Sequence, residues 1–175
     1  MRQALRLHPD GRCDAATAID VGIARPRRNN LVLTYTVTGA IEGLNLPRAA
    51  KSARADELWQ HTCFEAFIRP AAGAAYYEVN LSPSTLWAAY RFDGYRSGMR
   101  VAAEIAAPKF EVRGSANAFS LQAALALDRL PSPAWRLGLA AVLEEANGRK
   151  SYWALEHAPG KPDFHHADCF ALRLP

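Results

Sequence analysis

Asp56-Glu57-Leu58-Trp59-Gln60-His61-Thr62-Cys63-Phe64-Glu65-Ala66-Phe67-Ile68 is the stretch whose reading decides the fold. Two carboxylates open it, and the rest reads as one long strand. Successive strand side chains point to opposite sides, so Trp59, His61, Cys63, Glu65 and Phe67 share one face. Gln60, Thr62, Phe64, Ala66 and Ile68 share the other. One face thus carries an aromatic ring, an imidazole, a thiol and a carboxylate in a row. That is an unusual load for a plain core strand, and it predicts a central strand presenting a polar-aromatic surface.

The neighbours of this stretch read the same way. Downstream, Pro70 stops the strand and Ala71-Ala72-Gly73-Ala74 supplies a hairpin loop to Tyr76–Leu81. Ser82-Pro83-Ser84 turns the chain into Leu86–Phe92, with Trp87, Ala89 and Arg91 on one face. Asp93–Gly98 is a loop with two glycines. Upstream, Gln3–His8, Ala18–Ala24 and Leu31–Thr38 alternate, with Ile19, Val21 and Ile23 pointing inward. Leu44–Leu46 is a short extension, and Arg48–Asp56 a charged loop leading into the central strand.

Further on, Lys109–Arg113 and Phe119–Leu127 form a hairpin through Gly114–Asn117, and Pro131 and Pro133 break the chain. Trp135–Glu145 is a long strand. Asn147-Gly148 predicts a two-residue type I′ turn, with Glu145 opposite Lys150 and Val142 opposite Trp153. A polar loop, 158–168, precedes a last strand through Phe170, Leu172 and Leu174. Ala49–Ala55 and Leu125–Leu130 each have the composition for a helical turn. Roughly ten short strands with turn signals between them predict an all-β protein with little helix, an antiparallel β-sandwich of one domain over residues 1–175.

The 175 residues are half hydrophobic, with a formal net charge of +4 carried by 17 arginines and four lysines. The arginines are scattered apart from Arg25, Arg27 and Arg28. No basic stripe marks a nucleic-acid track, so no nucleic-acid partner is expected. No apolar run is long enough for a membrane span or a signal peptide. Cys13, Cys63 and Cys169 have neither disulfide-framework nor zinc-finger spacing. Together these predict a cytoplasmic protein with reduced thiols and no membrane partner; the oligomeric state is not legible.

Several blocks are similar to bacterial DOMON-like proteins, which resemble family 9 carbohydrate-binding modules. They are Asp56–Glu65; Tyr77-Glu78-Val79-Asn80-Leu81-Ser82-Pro83-Ser84; Trp87–Phe92 with Gly94-Tyr95-Arg96; and Ser151–Leu155 running to Lys161–His166. The resemblance spans most of the chain. It implies a sandwich of immunoglobulin-like or jelly-roll type. Related members bind sugars on tryptophan platforms, and others bind haem through a methionine and a histidine.

Three candidate sites follow. The first gathers Trp59, His61, Glu65, Glu78, Asn80, Trp87 and Arg91 on one sheet face, with Trp153 beside it. Flat aromatic faces suit the C–H patch of a pyranose, and charged planar groups suit its hydroxyls, so the expected ligand is a sugar or related small molecule. The competing reading is a structural polar layer in which Glu65 or Glu78 pairs with Arg91. Glu65 and Glu78 are also the inventory of a glycosidase, but any sandwich contains carboxylate pairs, so a binding module is expected rather than an enzyme and no catalytic residue is assigned. The second site is the C-terminal loop, where His157, Asp163, His165 and His166 are weak metal candidates without a ligand spacing. The third is haem held by Met99 and His61, His157, His165 or His166; no cofactor is the primary expectation. A structural or interaction domain without a ligand is the remaining alternative.

Overall fold

The computed structural model describes residues 1–71, 73–131 and 134–174. Ala72 of the expected hairpin loop and Pro133 of the expected proline break lie outside the described residues. Among the described residues, twelve strands and three single turns of 3-10 helix make up the regular structure. The strands are β1 (Arg2–Leu7), β2 (Ala16–Arg27), β3 (Asn30–Gly39), β4 (Cys63–Pro70), β5 (Tyr76–Leu81), β6 (Trp87–Phe92), β7 (Arg100–Val101), β8 (Lys109–Gly114), β9 (Ala118–Ala126), β10 (Trp135–Glu144), β11 (Lys150–Ala154) and β12 (Leu172–Leu174). The fold is all-β and antiparallel, as the alternation predicts. No helix among the described residues is long and apolar enough to cross a membrane.

The strand order is β7-β6-β5-β4-β10-β11-β1-β2-β3-β9-β8, with β12 beside the start of β10. β1 turns the corner between the two layers. Arg2–Leu5 pairs with β2, whereas Arg6 and Leu7 pair with β11. The curled sheet closes on an apolar interior in which Ile19, Val21, Leu33 and Leu121 of one layer meet Phe64, Val79, Leu139 and Leu143 of the other. Phe64 lies against Tyr35 and stacks on Phe119, with ring centroids 4.9 and 6.1 Å apart. The Tyr35 hydroxyl donates to the Glu65 carbonyl at 2.7 Å, satisfying a buried polar group and tying the layers together.

A second apolar cluster lies on the outer face of the β4-containing layer. Phe67, Tyr76, Tyr90, Phe92 and Val142 are covered there by Phe164 and Phe170 from the segment between β11 and β12. β4 is therefore buried on both faces, which explains why its residues read as nearly continuous burial rather than as alternation.

The opening strand is shorter than expected. Glu57 adopts the left-handed region (φ 61°), Leu58–Gln60 forms one 3-10 turn, and β4 begins at Cys63. Trp59 and His61 therefore escape the strand's alternation, while Cys63, Glu65 and Phe67 keep it. Two hairpins also differ in parity. Ser82 pairs with Leu86 around Pro83-Ser84-Thr85, with Thr85 left-handed (φ 71°). Glu145 N–H bonds to Arg149 across Ala146-Asn147-Gly148, with Gly148 at φ 84°. Each loop thus holds three residues, a turn closed by one left-handed residue; between β10 and β11 this replaces the expected type I′ pair, and between β5 and β6 the expected Ser82-Pro83-Ser84 turn becomes Pro83-Ser84-Thr85. Glu144 faces Lys150 and Val142 faces Tyr152, so Trp153 falls on the opposite face, opposite Ala141.

Ala49–Ala55 forms no helical turn. It runs extended beside β6, with Ala55 N–H donating to Trp87 and Trp87 N–H to Ala53. Past the end of β9 at Ala126 the chain makes a turn closed by Leu130 N–H on the Leu127 carbonyl.

Candidate functional site

The outer face of the β4 layer is not wholly filled by its apolar cover. Register places Glu65 opposite Asn80, and Phe67 opposite Glu78. Glu65 and Glu78 are therefore diagonal neighbours on one face, a relation that typically sets Cβ atoms roughly 7 Å apart. β6 adds Phe92, β10 adds Val142 and β11 adds Tyr152. The 3-10 turn before β4 brings Trp59 and Gln60, the loop after β6 brings Arg96 and Met99, and the C-terminal loop brings Pro162, Phe164 and His165. These side chains, with Lys150, enclose an open cavity of about 470 Å³. That size lies within the range of small-molecule sites, about 300–1,000 Å³.

Trp59 stands at the mouth. It is 38% exposed, and its ring meets Tyr90 edge-on at 6.1 Å. Tyr90 is itself fixed, its hydroxyl donating to Asp56 at 2.6 Å while the Arg54 guanidinium lies 5.3 Å over its ring. The acidic-aromatic opening of the stretch thus serves to seat the tryptophan. Met99 is half exposed on another side of the mouth.

The floor is acidic and buried. Glu65 is 4% exposed, and burial pushes its carboxyl well above the usual carboxylate range; the neighbouring Glu78 charge adds to this and Arg96 opposes it. Burial pushes Glu78 up to about 6, against a hydrogen bond from Asn80 and the Arg96 charge. Asn80 Nδ2 donates to Glu78 Oε1 at 2.8 Å. The Arg96 N–H donates to the Tyr76 hydroxyl at 3.2 Å, and that hydroxyl lies 2.8 Å from His165 Nδ1. His165 Nε2 lies 3.6 Å from Glu78 Oε2. Burial, reinforced by Arg96, lowers His165 to about 4, so the ring is neutral near pH 7. In the tautomer that carries its proton on Nε2, that proton faces Glu78 and Tyr76 donates to Nδ1.

Asp163 locks the walls together. It accepts from Arg96 Nη2 at 2.8 Å, from the Tyr95 hydroxyl, and from the His165 N–H at 3.1 Å. Arg96 holds a left-handed backbone (φ 50°). The C-terminal loop and the loop after β6 are thereby fixed to each other across the cavity.

Of the residues expected from the sequence, Trp59, Glu65 and Glu78 converge on this cavity, and Asn80 lies buried beside them. His61 does not line it; its Nδ1 sits 2.8 Å from Glu144 Oε2 in an exposed pair. Trp87 and Arg91 lie on the opposite face, because Leu81 faces Trp87 and Tyr77 faces Arg91. Trp87 packs against the interior, and Arg91 bonds Glu104 at 3.0 Å rather than Glu65 or Glu78. Trp153 is 5% exposed and donates to Ser151 Oγ at 3.0 Å in the interior. The expected single-face constellation is corrected accordingly: the three-residue loops reverse the parity that would have joined these side chains to the carboxylates.

The metal candidates stay apart. His157 Nε2 is 2.8 Å from the Arg6 carbonyl, and His166 Nδ1 accepts from the Asp168 N–H at 3.3 Å. Among the described residues no three His, Cys, Asp or Glu side chains converge as a metal site requires. Met99 and His165 do share the cavity, but both ring nitrogens of His165 face protein groups. Arg96, Tyr152, Phe92 and Phe164 are cavity residues that strand alternation alone does not mark as such.

No family model matches the chain. No curated protein matches it either. Solved structures share its fold, among them two at 14% identity. One is a "putative carbohydrate-binding protein" from Bacteroides uniformis, with a TM-score of 0.68 and 14% identity over 96% of this chain and 83% of that one. The other is a family 9 carbohydrate-binding module from Caldicellulosiruptor kristjanssonii in complex with glucose, with a TM-score of 0.50 and 14% identity over 82% and 69%. At that identity the likeness is one of fold alone.

Proposed function

We propose that the chain is a carbohydrate-binding module, spanning residues 1–175, whose ligand occupies the cavity between Trp59 and the Glu65–Glu78 floor. The observation that carries this reading is the combination of a half-exposed tryptophan at the mouth with buried hydrogen-bonding groups below it. An indole face offers a large flat apolar surface to the C–H patch of a pyranose, and carboxyls, Gln60 and Arg96 bind hydroxyls directionally. The walls are held by Asp163 before any ligand arrives, which lowers the ordering cost of binding. The fold shared with a glucose-bound module supports the same reading.

Intrinsic fluorescence titrated with a panel of mono- and oligosaccharides tests it. At least one sugar should shift the emission saturably. Trp59→Ala should weaken that sugar by roughly tenfold or more, a loss of about 1.4 kcal/mol, while leaving the melting temperature nearly unchanged. Trp153→Ala should behave oppositely, destabilising the fold by about 3–5 kcal/mol as a buried tryptophan does. A panel without any response, or a Trp59→Ala protein that binds as wild type, removes the sugar from this cavity.

A further inference from the structure

The cavity floor has more acceptors than donors. The Glu65 carboxyl is 4% exposed, lines the cavity, and receives no hydrogen bond from the described residues. Glu78 Oε1 is taken by Asn80, and Oε2 is approached only by His165 at 3.6 Å. Beside Glu65 in register, the fully buried Asn80 leaves its Oδ1 without a partner. The cations nearby are committed or peripheral: Arg96 is bonded to Asp163, and Lys150 is exposed at the rim opposite Glu144. A buried carboxylate pair calls for a compensating positive charge with several N–H groups. An ammonium group supplies one charge and three donors. The surrounding rings of Trp59, Phe92 and Tyr152 offer π faces that also favour a cation.

We propose that the ligand of this cavity carries a protonated primary amine, as an amino sugar does, with the ammonium group on the Glu65–Glu78 floor and the ring against Trp59. The proposal rests on the sugar reading above and narrows it to a class. A neutral sugar would leave one carboxyl holding its proton; an ammonium group would displace that proton and bind the carboxylate. Among the described residues, the other ionisable groups about Glu65 are Glu78 from β5, Cys63 of its own strand, Arg96 from the loop after β6, His165 from the C-terminal loop, Lys150 from β11, and Tyr35, whose hydroxyl meets the Glu65 backbone carbonyl from the opposite layer.

Calorimetric titration with glucosamine, glucose and N-acetylglucosamine at about pH 6.5 separates the possibilities, since an amine of ordinary pKa near 8 is charged there. Glucosamine should bind roughly tenfold more tightly than either neutral sugar. Its binding enthalpy should vary with the ionisation enthalpy of the buffer, showing a released proton, and that of glucose should not. Glu65→Gln and Glu78→Gln keep the side-chain shape, and each should erase most of the roughly tenfold preference for glucosamine over glucose. Equal binding of all three sugars, or a preference that survives in both variants, overturns the amine assignment and leaves the sugar site standing. No binding of glucosamine by a protein that binds another sugar of the panel likewise overturns the amine assignment alone, and no binding across the whole panel overturns both.

Discussion

Glu65 and Glu78 are two buried carboxyls on one sheet face, each raised by its surroundings. Both carboxyls are raised by burial, so the folded state favours their neutral forms more than the unfolded chain does. For Glu78, raised from 4.5 to about 6, the associated stability is fully present below pH 4.5 and lost as pH climbs through 6. Its size is about 2 kcal/mol, from 1.36 kcal/mol per pKa unit. Glu65 extends the same loss to higher pH. His165 acts in the other direction: its neutral form is favoured, so its contribution is present above pH 6.5 and lost as pH falls through about 4. Between pH 4.5 and 6 the loss at Glu78 and the gain at His165 oppose each other, and above about 6 the ligand-free protein should lose stability through Glu65. Glu78→Gln should recover about 2 kcal/mol at pH 8, or roughly 4–8 °C in melting temperature, and little at pH 4.5. Melting curves across that range check it; a variant less stable than wild type at pH 8 would mean that the charged carboxylate is favoured by the fold.

The elements place the site through their connections as much as through their own pattern. β4, β5 and β6 read correctly as strands because their apolar residues alternate or run continuously between Gly, Pro and Ser signals. Their faces did not follow, because hairpin parity depends on loop length. Thr85 in a left-handed conformation makes the β5–β6 loop three residues long, and nothing about a β-branched residue advertises that state. Asn147-Gly148 fits a type I′ pair and a three-residue loop alike, and one residue of difference exchanged Trp153 for Tyr152 at the cavity. Glu65 and Glu78 were legible because β4 and β5 pair in the parity the sequence implies; Arg96 and Phe164 were not, since loops carry no period. Gly138 of β10 shows how closely the C-terminal loop is fitted. A Cβ there would meet the Cys169 carbonyl at 2.9 Å and Phe67 Cβ at 3.4 Å. Gly138→Ala should cost about 1–3 kcal/mol by overpacking and weaken ligand binding, since the loop carries Phe164 and His165. Urea unfolding with a parallel sugar titration measures both, and an unchanged midpoint and affinity would show the loop to be free to move aside.

At the scale of the whole molecule, two layers enclose one apolar interior, and the outer face of one layer is capped by a loop that leaves a cavity. The interior accounts for stability through Phe64, Tyr35, Trp153 and their neighbours. The capped face carries the groups that a core has no use for: two buried carboxyls, a neutral histidine and a half-exposed indole. Backbone amide shifts recorded by NMR while glucosamine is added to saturation test this division most directly. The shifts should cluster on Trp59–Gln60, Glu65, Glu78, Arg96 and Phe164–His165. Shifts centred instead on Arg91 and Glu104, across the sheet, or an unperturbed spectrum at saturating sugar, would contradict it.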